Sequence, residues 1–209
     1  MIRLIRLFVL GVWLGGFSPV FTFAHLLTVT QVIVSFNGTQ TIDVRIDIDL
    51  TALLPSPERY YELSAAPADL QQQMIDELLP LIREGFQLYV GEERLKLSFQ
   101  GYTLPSLTRL NFLDPSVDHF TTLRFGAAWP ASRQPLRLLV PDGSRIQFPV
   151  VFVVQIPSNG IAASCWMEDG MDESDPFNWA GAVLGRAAAG QPGAAGCALR
   201  DQRRDQGDL

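Results

Sequence analysis

Residues 41–50 limit the possible folds of this chain more than any other part of its sequence. Apolar side chains alternate strictly with polar ones, at Ile42, Val44, Ile46, Ile48 and Leu50. A period of two places all the apolar side chains on one face of a β-strand and all the polar ones on the other. The segment therefore predicts a strand in a sheet with one buried face and one face in water.

Further strands are predicted on both sides of this segment. Residues 27–36 should pair with it as a hairpin, because the intervening Asn37-Gly38 is a strong turn signal. Other predicted strands lie at 86–90, 95–99, 108–113, 120–128, 136–140 and 146–156. Short strands at this spacing are typical of a β-sandwich.

One segment has a different period. Residues 67–83 carry apolar side chains at four-residue steps, at Leu70, Met74, Leu78 and Ile82. This spacing predicts one α-helix between two hairpins, which Pro80 should kink or end early because it removes a backbone hydrogen bond. The expected fold is mostly β: an antiparallel, Ig-like two-sheet sandwich with one α-helix inserted.

The first 24 residues have the layout of a secretory signal peptide. Two arginines precede an apolar stretch, and Thr22-Phe23-Ala24 places small residues at the first and third positions before the predicted cleavage site. An uncleaved membrane anchor is the alternative, but it needs about 20 continuous apolar residues, and glycines and a proline interrupt this run. We expect an exported protein, periplasmic or on the extracytoplasmic face of the membrane, whose mature chain starts at His25.

The composition of the exported part excludes some classes of partner. Removing Arg3 and Arg6 from the 16 Lys+Arg leaves 14 against 22 Asp+Glu, a net charge of −8 with neutral histidines. Such an acidic chain is not expected to bind nucleic acid or anionic lipid. The chain has two cysteines, Cys165 and Cys197, so export permits at most one disulfide.

A change of composition divides the chain into four parts. Residues 1–24 are the signal peptide, 25–165 the β-sandwich domain, 166–181 an acidic and aromatic linker, and 182–209 an Ala- and Gly-rich tail. The tail contains no aromatic residue and no isoleucine, which predicts disorder. The alternative is that the reading frame shifts near Gly181, so that the tail is not a selected sequence.

Four segments of the chain occur in a characteristic order. A leader ending in Ala24-His25 is followed by a strand pair, by a helix leading into FQLYVGE (residues 86–92), and by WMEDGMDESDPFNWAG (residues 166–181). This order resembles the exported N-terminal domain of HupE/UreJ-like membrane proteins, from the leader to Gly181. In that family the last of these segments leads into the first membrane span.

The resemblance implies a function without catalysis. It implies an extracytoplasmic module that binds or interacts, with a membrane protein or its own membrane domain as partner. After Gly181 this sequence shows no apolar span. The transport or metallocentre-accessory role that the family name implies is therefore not expected of this chain alone.

The residues themselves do not predict an enzyme. His25 and His119 are the two histidines of the chain, and neither is accompanied by a Gly-x-Ser-x-Gly nucleophile motif. Glycosidases need two facing carboxylates, whereas the acids here lie on exterior strand positions or in the run at 168–175. That run is predicted to be a solvated linker. Its alternative is a divalent-cation loop formed by Asp169, Asp172 and Asp175.

His25 supports a second functional hypothesis. A mature N-terminal histidine can chelate copper or nickel through its α-amine and a ring nitrogen, with His119 as the second imidazole. The alternative function is therefore a periplasmic copper- or nickel-binding protein with His25 and His119 as metal ligands. No methionine or cysteine cluster supplies a third ligand. An Ala-His junction can also simply reflect what signal peptidase accepts.

Overall fold

The computed structural model describes residues 29–36, 41–114, 116–128, 134–156, 161–178 and 197–201. The strands are β1 (Thr30–Phe36), β2 (Thr41–Asp49), β3 (Gln87–Val90), β4 (Glu93–Arg94), β5 (Ser98–Thr103), β6 (Phe120–Ala128), β7 (Leu136–Leu139), β8 (Val150–Ile156), β9 (Ile161–Met167) and β10 (Cys197–Asp201). The helices are α1 (Pro57–Ala65), α2 (Ala68–Gly85) and a 3-10 helix (Leu50–Ala52). The predicted signal peptide, His25 and the Asn37-Gly38 turn lie outside the described residues.

The described strands form two sheets. The larger has seven strands in the order β10-β9-β8-β1-β2-β6-β5, and the smaller has three in the order β4-β3-β7. One core cluster contains buried residues from both sheets and from both α-helices. The fold is therefore mostly β and sandwich-like, as predicted, with two sheets and two α-helices.

The prediction of a wholly antiparallel sandwich is wrong at one strand pair. β1 pairs with β2 antiparallel but with β8 parallel, with Val32 opposite Phe152. β1 contains the apolar run Val32-Ile33-Val34, and all three side chains are buried. A continuous apolar run is typical of a central strand covered on both faces, which is where parallel pairing occurs.

The alternation in residues 41–50 produces the predicted strand. In β2 the side chains of Ile42, Val44, Ile46 and Ile48 are buried in the core cluster. Ile46 lies opposite Val32 of β1 and opposite Leu123 of β6. The antiparallel pairing of β1 with β2 is also confirmed, and the predicted strand at 120–128 is β6.

The strand predicted at 108–113 is wrong, because these residues form turns. The backbone N–H of Thr108 donates to Asn111 Oδ1 at 2.6 Å, and the backbone N–H of Leu110 donates to Thr108 Oγ1 at 3.3 Å. Side-chain oxygens thus satisfy backbone groups that a strand would pair with its neighbour. The strand predicted at 95–99 is also displaced: β5 starts at Ser98 and contains a bulge that interrupts the period of two.

The prediction of a single helix is wrong, because α1 precedes α2. α1 has Pro57 in its first turn and buries Tyr60 and Leu63. Two buried residues are too few to show a helical stripe in the sequence. α1 was therefore missed.

α2 also differs from its predicted form. It continues through the exposed Pro80 to Gly85, and its buried face is formed by Ile75, Leu78, Leu79 and Ile82. These positions follow the i, i+3, i+4, i+7 pattern, whereas a strict four-residue step drifts off the face. Leu70 is accordingly 49% exposed. Burial of the apolar side chains in the last turn stabilises the helix by more than the loss of the backbone hydrogen bond at Pro80 costs.

The acidic run is not a solvated linker. Residues 172–177 lie along β7, and the backbones of Leu136 and Phe177 exchange two hydrogen bonds of 2.8 Å. Ser174 is buried, and its Oγ accepts a hydrogen bond from the backbone N–H of Leu138 at 2.9 Å. Arg137 of β7 pairs with Glu173. The run therefore pairs with β7 through two isolated bridges, while the side chains of its acidic residues stay exposed.

The C-terminal part of the described chain contains two strands that were not predicted. β9 pairs with β8, and β10 pairs with β9, both antiparallel. The prediction of disorder is therefore wrong for residues 197–201, which gain backbone partners from β9. The rest of the predicted tail, at 182–196 and 202–209, lies outside the described residues. Within the described part of the chain no helix is long and apolar enough to cross a membrane.

Candidate functional site at the start of strand β6

The chain segment that enters β6 holds His119 in place through short local hydrogen bonds. Asp118 Oδ1 accepts a hydrogen bond from the backbone N–H of Phe120 at 2.8 Å. Upstream, Asp114 Oδ1 accepts from the backbone N–H of Ser116 at 2.9 Å and from its hydroxyl at 2.6 Å. Such Asx turns fix the backbone without regular secondary structure. The position of His119 is therefore defined by aspartates on its own segment.

Tyr60 of α1 connects to this segment from the other side. Its side chain is 2% exposed, its hydroxyl donates to the carbonyl oxygen of His119, and it lies 2.6 Å from Thr121 Oγ1. The Tyr60 hydroxyl has one hydrogen, and it goes to the His119 carbonyl oxygen, which can only accept. The hydroxyl of the fully buried Thr121 must therefore donate its hydrogen to the tyrosine oxygen. This buried polar group attaches α1 to the large sheet.

The environment of Tyr60 keeps its hydroxyl protonated. Burial raises its pKa well above the ordinary value of 10.0, the hydrogen bond with Thr121 opposes this in part, and the charges of Asp49 and Asp118 raise the pKa further. An ionised phenolate here would lose its hydration and would no longer donate to the His119 carbonyl. Tyr60 is thus a hydrogen-bond donor and not a base.

The pKa of the Asp114 carboxyl group is shifted downward, opposite to that of Tyr60. The largest cause is the hydrogen bond that this exposed group accepts from the Ser116 hydroxyl, followed by the hydrogen bond from the Ser116 backbone. The charge of His119 lowers the pKa in the same direction. Asp114 is therefore a carboxylate whose charge stabilises the turn before His119.

The ring of His119 has one unusual atom. Its Nε2 is buried and has no hydrogen-bond partner among the residues that the structure describes. Buried polar atoms are nearly always paired, so this nitrogen lacks the partner that such an atom normally has. The predicted second ligand, His25, lies outside the described residues, so the structure does not bring the two histidines together.

The described part of the chain contains no group of three or more His, Cys, Asp or Glu side chains that could hold a metal ion. Asp169, Asp172 and Asp175, the predicted cation loop, are exposed. The backbone of this segment bonds instead to β7 and to the residue after it: the N–H of Ser174 donates to the Leu138 carbonyl at 2.8 Å, and the N–H of Val140 donates to the Asp172 carbonyl at 2.7 Å.

The loop between β5 and β6 presents two leucines to solvent. Leu110 is 96% exposed and Leu113 is 64% exposed, while Leu107 of the same loop is buried. Phe112 anchors the same loop by packing against Tyr61 of α1, with ring centroids 5.6 Å apart. Sequence reasoning missed this surface because it assigned the segment to a strand. The signal was the three-residue spacing of the leucines, which does not fit a period of two.

No protein-family model matches the chain, and no curated protein is significantly similar to it. The likeness to HupE/UreJ-like proteins therefore remains a prediction from the sequence. The functional interpretation depends on the site at the start of β6 and on the exposed leucine loop beside it.

Proposed function

We propose that this chain is an exported, non-catalytic binding or interaction module, the extracytoplasmic part of a HupE/UreJ-like membrane protein. The observation that carries the proposal is the exposure of Leu110 and Leu113 on a loop whose backbone hydrogen-bonds to its own side chains at residues 108–111. Apolar side chains held outward on a fixed loop are typical of contact surfaces, because little conformational freedom is lost on binding.

The chemistry around the loop supports a module without catalysis. Tyr60, the residue with the strongly raised pKa, is buried and donates to a backbone carbonyl, which gives it a structural task. The ring of His119 has a buried Nε2, which is poorly placed to exchange protons with a substrate. We also propose that the two sheets are the layers of an Ig-like sandwich, since their buried residues share one core cluster.

The proposed partner is a membrane protein or the membrane domain that follows such modules in the family. The exported chain carries a net charge of −8, obtained from 14 Lys+Arg against 22 Asp+Glu. This charge disfavours a nucleic acid or an anionic lipid surface as the ligand. Leucines docking on a protein surface do not meet this repulsion, so we place the contact with protein.

Site-specific photo-crosslinking tests this proposal. A photoreactive amino acid at position 110 of the exported protein is expected to give an adduct with a membrane-embedded protein. The same amino acid at the exposed Gln73 of α2 serves as the control and should give none. Leu113→Ser should weaken the adduct at position 110 while leaving the melting temperature unchanged, because Leu113 buries little surface. Equal adducts at both positions, or a protein found in the cytoplasm, would contradict the proposal.

The second candidate function is binding of copper or nickel. It is favoured by one observation, the buried His119 Nε2 without a partner among the described residues. In that hypothesis the α-amine and imidazole of a mature His25 supply the other ligands. His119 would then be the attachment point on the folded domain.

Copper titration of the exported protein tests this alternative. Intact mass should show a chain that starts at His25, and one equivalent of copper(II) should bind with an affinity that N-terminal acetylation abolishes, because acetylation removes the amine ligand. In the protein with a free N-terminus, His119→Ala should also weaken copper binding if both histidines share the site. Unchanged affinity after acetylation would exclude the N-terminal site.

A further inference from the structure

The pairing of β9 with β10 brings the two cysteines of the chain opposite each other. Cys197 is the register partner of Cys165 in this antiparallel pair. Directly opposed residues of antiparallel strands have Cα atoms about 4.5–5.5 Å apart, and disulfides join residues with Cα atoms about 4.4–6.8 Å apart. The backbone register thus satisfies the distance requirement of a disulfide.

The surroundings of Cys165 favour a partner within the same molecule. Cys165 is a free thiol, 2% exposed, in the core cluster. It lines a small cleft together with Phe152, Ala163 and Phe177. A thiol at this depth is shielded from cysteines of other molecules, whereas a residue on the adjacent strand is already beside it.

We propose that Cys165 and Cys197 form an intramolecular disulfide in an oxidising compartment, which fastens edge strand β10 to β9. A low-molecular-weight disulfide such as oxidised glutathione is the oxidant. One cysteine thiolate attacks it and releases one glutathione, and the second thiolate then displaces the other, so two thiols are oxidised and one disulfide is reduced. The proposal rests on the exported location in the proposed function but not on the membrane partner.

The disulfide would give the large sheet a fixed edge. β10 is the last strand of the seven, so β9 would be an open edge without it. Open edges are prone to pair with other chains, and the bond would keep β10 in place along the edge of β9. Formation of the bond would also favour the interpretation that the tail is genuine and not the product of a frameshift, because a random sequence would not place its cysteine in register.

The first test uses the full chain purified in reduced form. After incubation with oxidised glutathione, its intact mass should fall by the mass of two hydrogen atoms, without added glutathione and without dimers. Trypsin cleaves after Arg186, so Cys165 and Cys197 lie in separate peptides, 146–186 and 187–200. The two peptides should remain linked until reductant is added. Two free thiols, mixed disulfides with glutathione, or dimers would overturn the proposal.

A register variant separates correct pairing from simple flexibility of the chain. The double variant Cys197→Ser with Leu199→Cys moves the thiol to the position opposite Ala163. Diagonal neighbours two residues apart are about 7–8 Å from each other, beyond the usual reach of a disulfide. Closure should therefore be at least tenfold slower than in the natural sequence. Equal rates would mean that β10 does not hold its register, which overturns the proposal.

Alkylation of protein inside cells distinguishes failure of this proposal from failure of the proposed function. A chain that closes in vitro but is fully alkylated in cells supports the pairing and contradicts the exported location. An exported chain that does not close in vitro overturns the disulfide and leaves the proposed interaction module intact. A bond found in both experiments supports both.

Discussion

Replacing Ile46 with aspartate is expected to lower the free energy of unfolding by roughly 4–5 kcal/mol, which approaches the total stability of many domains. Ile46 is 1% exposed in the middle of β2, between Val32 of β1 and Leu123 of β6. All of these neighbours are apolar, so a carboxylate there would have no partner for its charge. The folded protein must therefore take up a proton on this group or lose the core around it.

Two further variants make the result quantitative. Ile46→Val removes one methylene group and should cost about 0.5–1.5 kcal/mol. Arg45→Gln changes the neighbouring side chain, which is 52% exposed and pairs with Asp47, and should cost at most about 1 kcal/mol. Urea unfolding of the three variants measures these differences. Similar losses for Arg45→Gln and Ile46→Asp would show that β2 does not face the core as described.

The sequence predicts this part of the fold well because burial there depends on local alternation. In β2 the period of two extends over the whole strand and identifies the core face residue by residue. The same reasoning does not predict Asp47. Its side chain is only 15% exposed and accepts a hydrogen bond of 2.7 Å from Thr122 of β6. That contact depends on which strand lies beside β2, which alternation does not encode.

Where prediction failed, contacts between distant residues decided the structure. β9 contains alanines and a serine, which have little preference for strands, and it becomes a strand because β8 and β10 supply hydrogen bonds on both sides. Residues 172–177 read as a solvated acidic segment, yet their backbone pairs with β7. Pro80 is tolerated within α2 because the buried side chains around it hold the last turn.

The candidate site was predictable only in part. His119 was identified because histidine is rare in this chain, but its unpartnered Nε2 follows from folding. Tyr60 was missed because its contacts lie about 60 residues away along the chain, in His119 and Thr121. No short pattern reports such a contact, since a buried tyrosine in a helix looks like any other apolar position.

Tyr60 is expected to make the stability of the protein fall above about pH 10. In the unfolded chain its hydroxyl ionises near the ordinary pKa of 10.0, while burial raises the pKa in the folded protein. The unfolded state therefore binds fewer protons than the folded state at high pH, and stability decreases as pH rises. The contribution is fully present below about pH 10, and above it the slope approaches about 1.4 kcal/mol per pH unit.

Tyr60→Phe should remove this component of the slope. At neutral pH the variant should be less stable by about 1–3 kcal/mol, because the His119 carbonyl and the Thr121 hydroxyl lose their common partner. Tyr89→Phe is the matched control, since the Tyr89 hydroxyl bonds to Gln87 on the half-buried side of β3 and not within the site. Urea unfolding of all three proteins between pH 7 and about 11 makes the comparison. Each variant differs from the natural sequence by one hydroxyl group, so the difference in slope isolates the buried hydroxyl of Tyr60. A Tyr60→Phe protein that keeps the slope of the natural sequence at high pH would show that this tyrosine is not buried against β6.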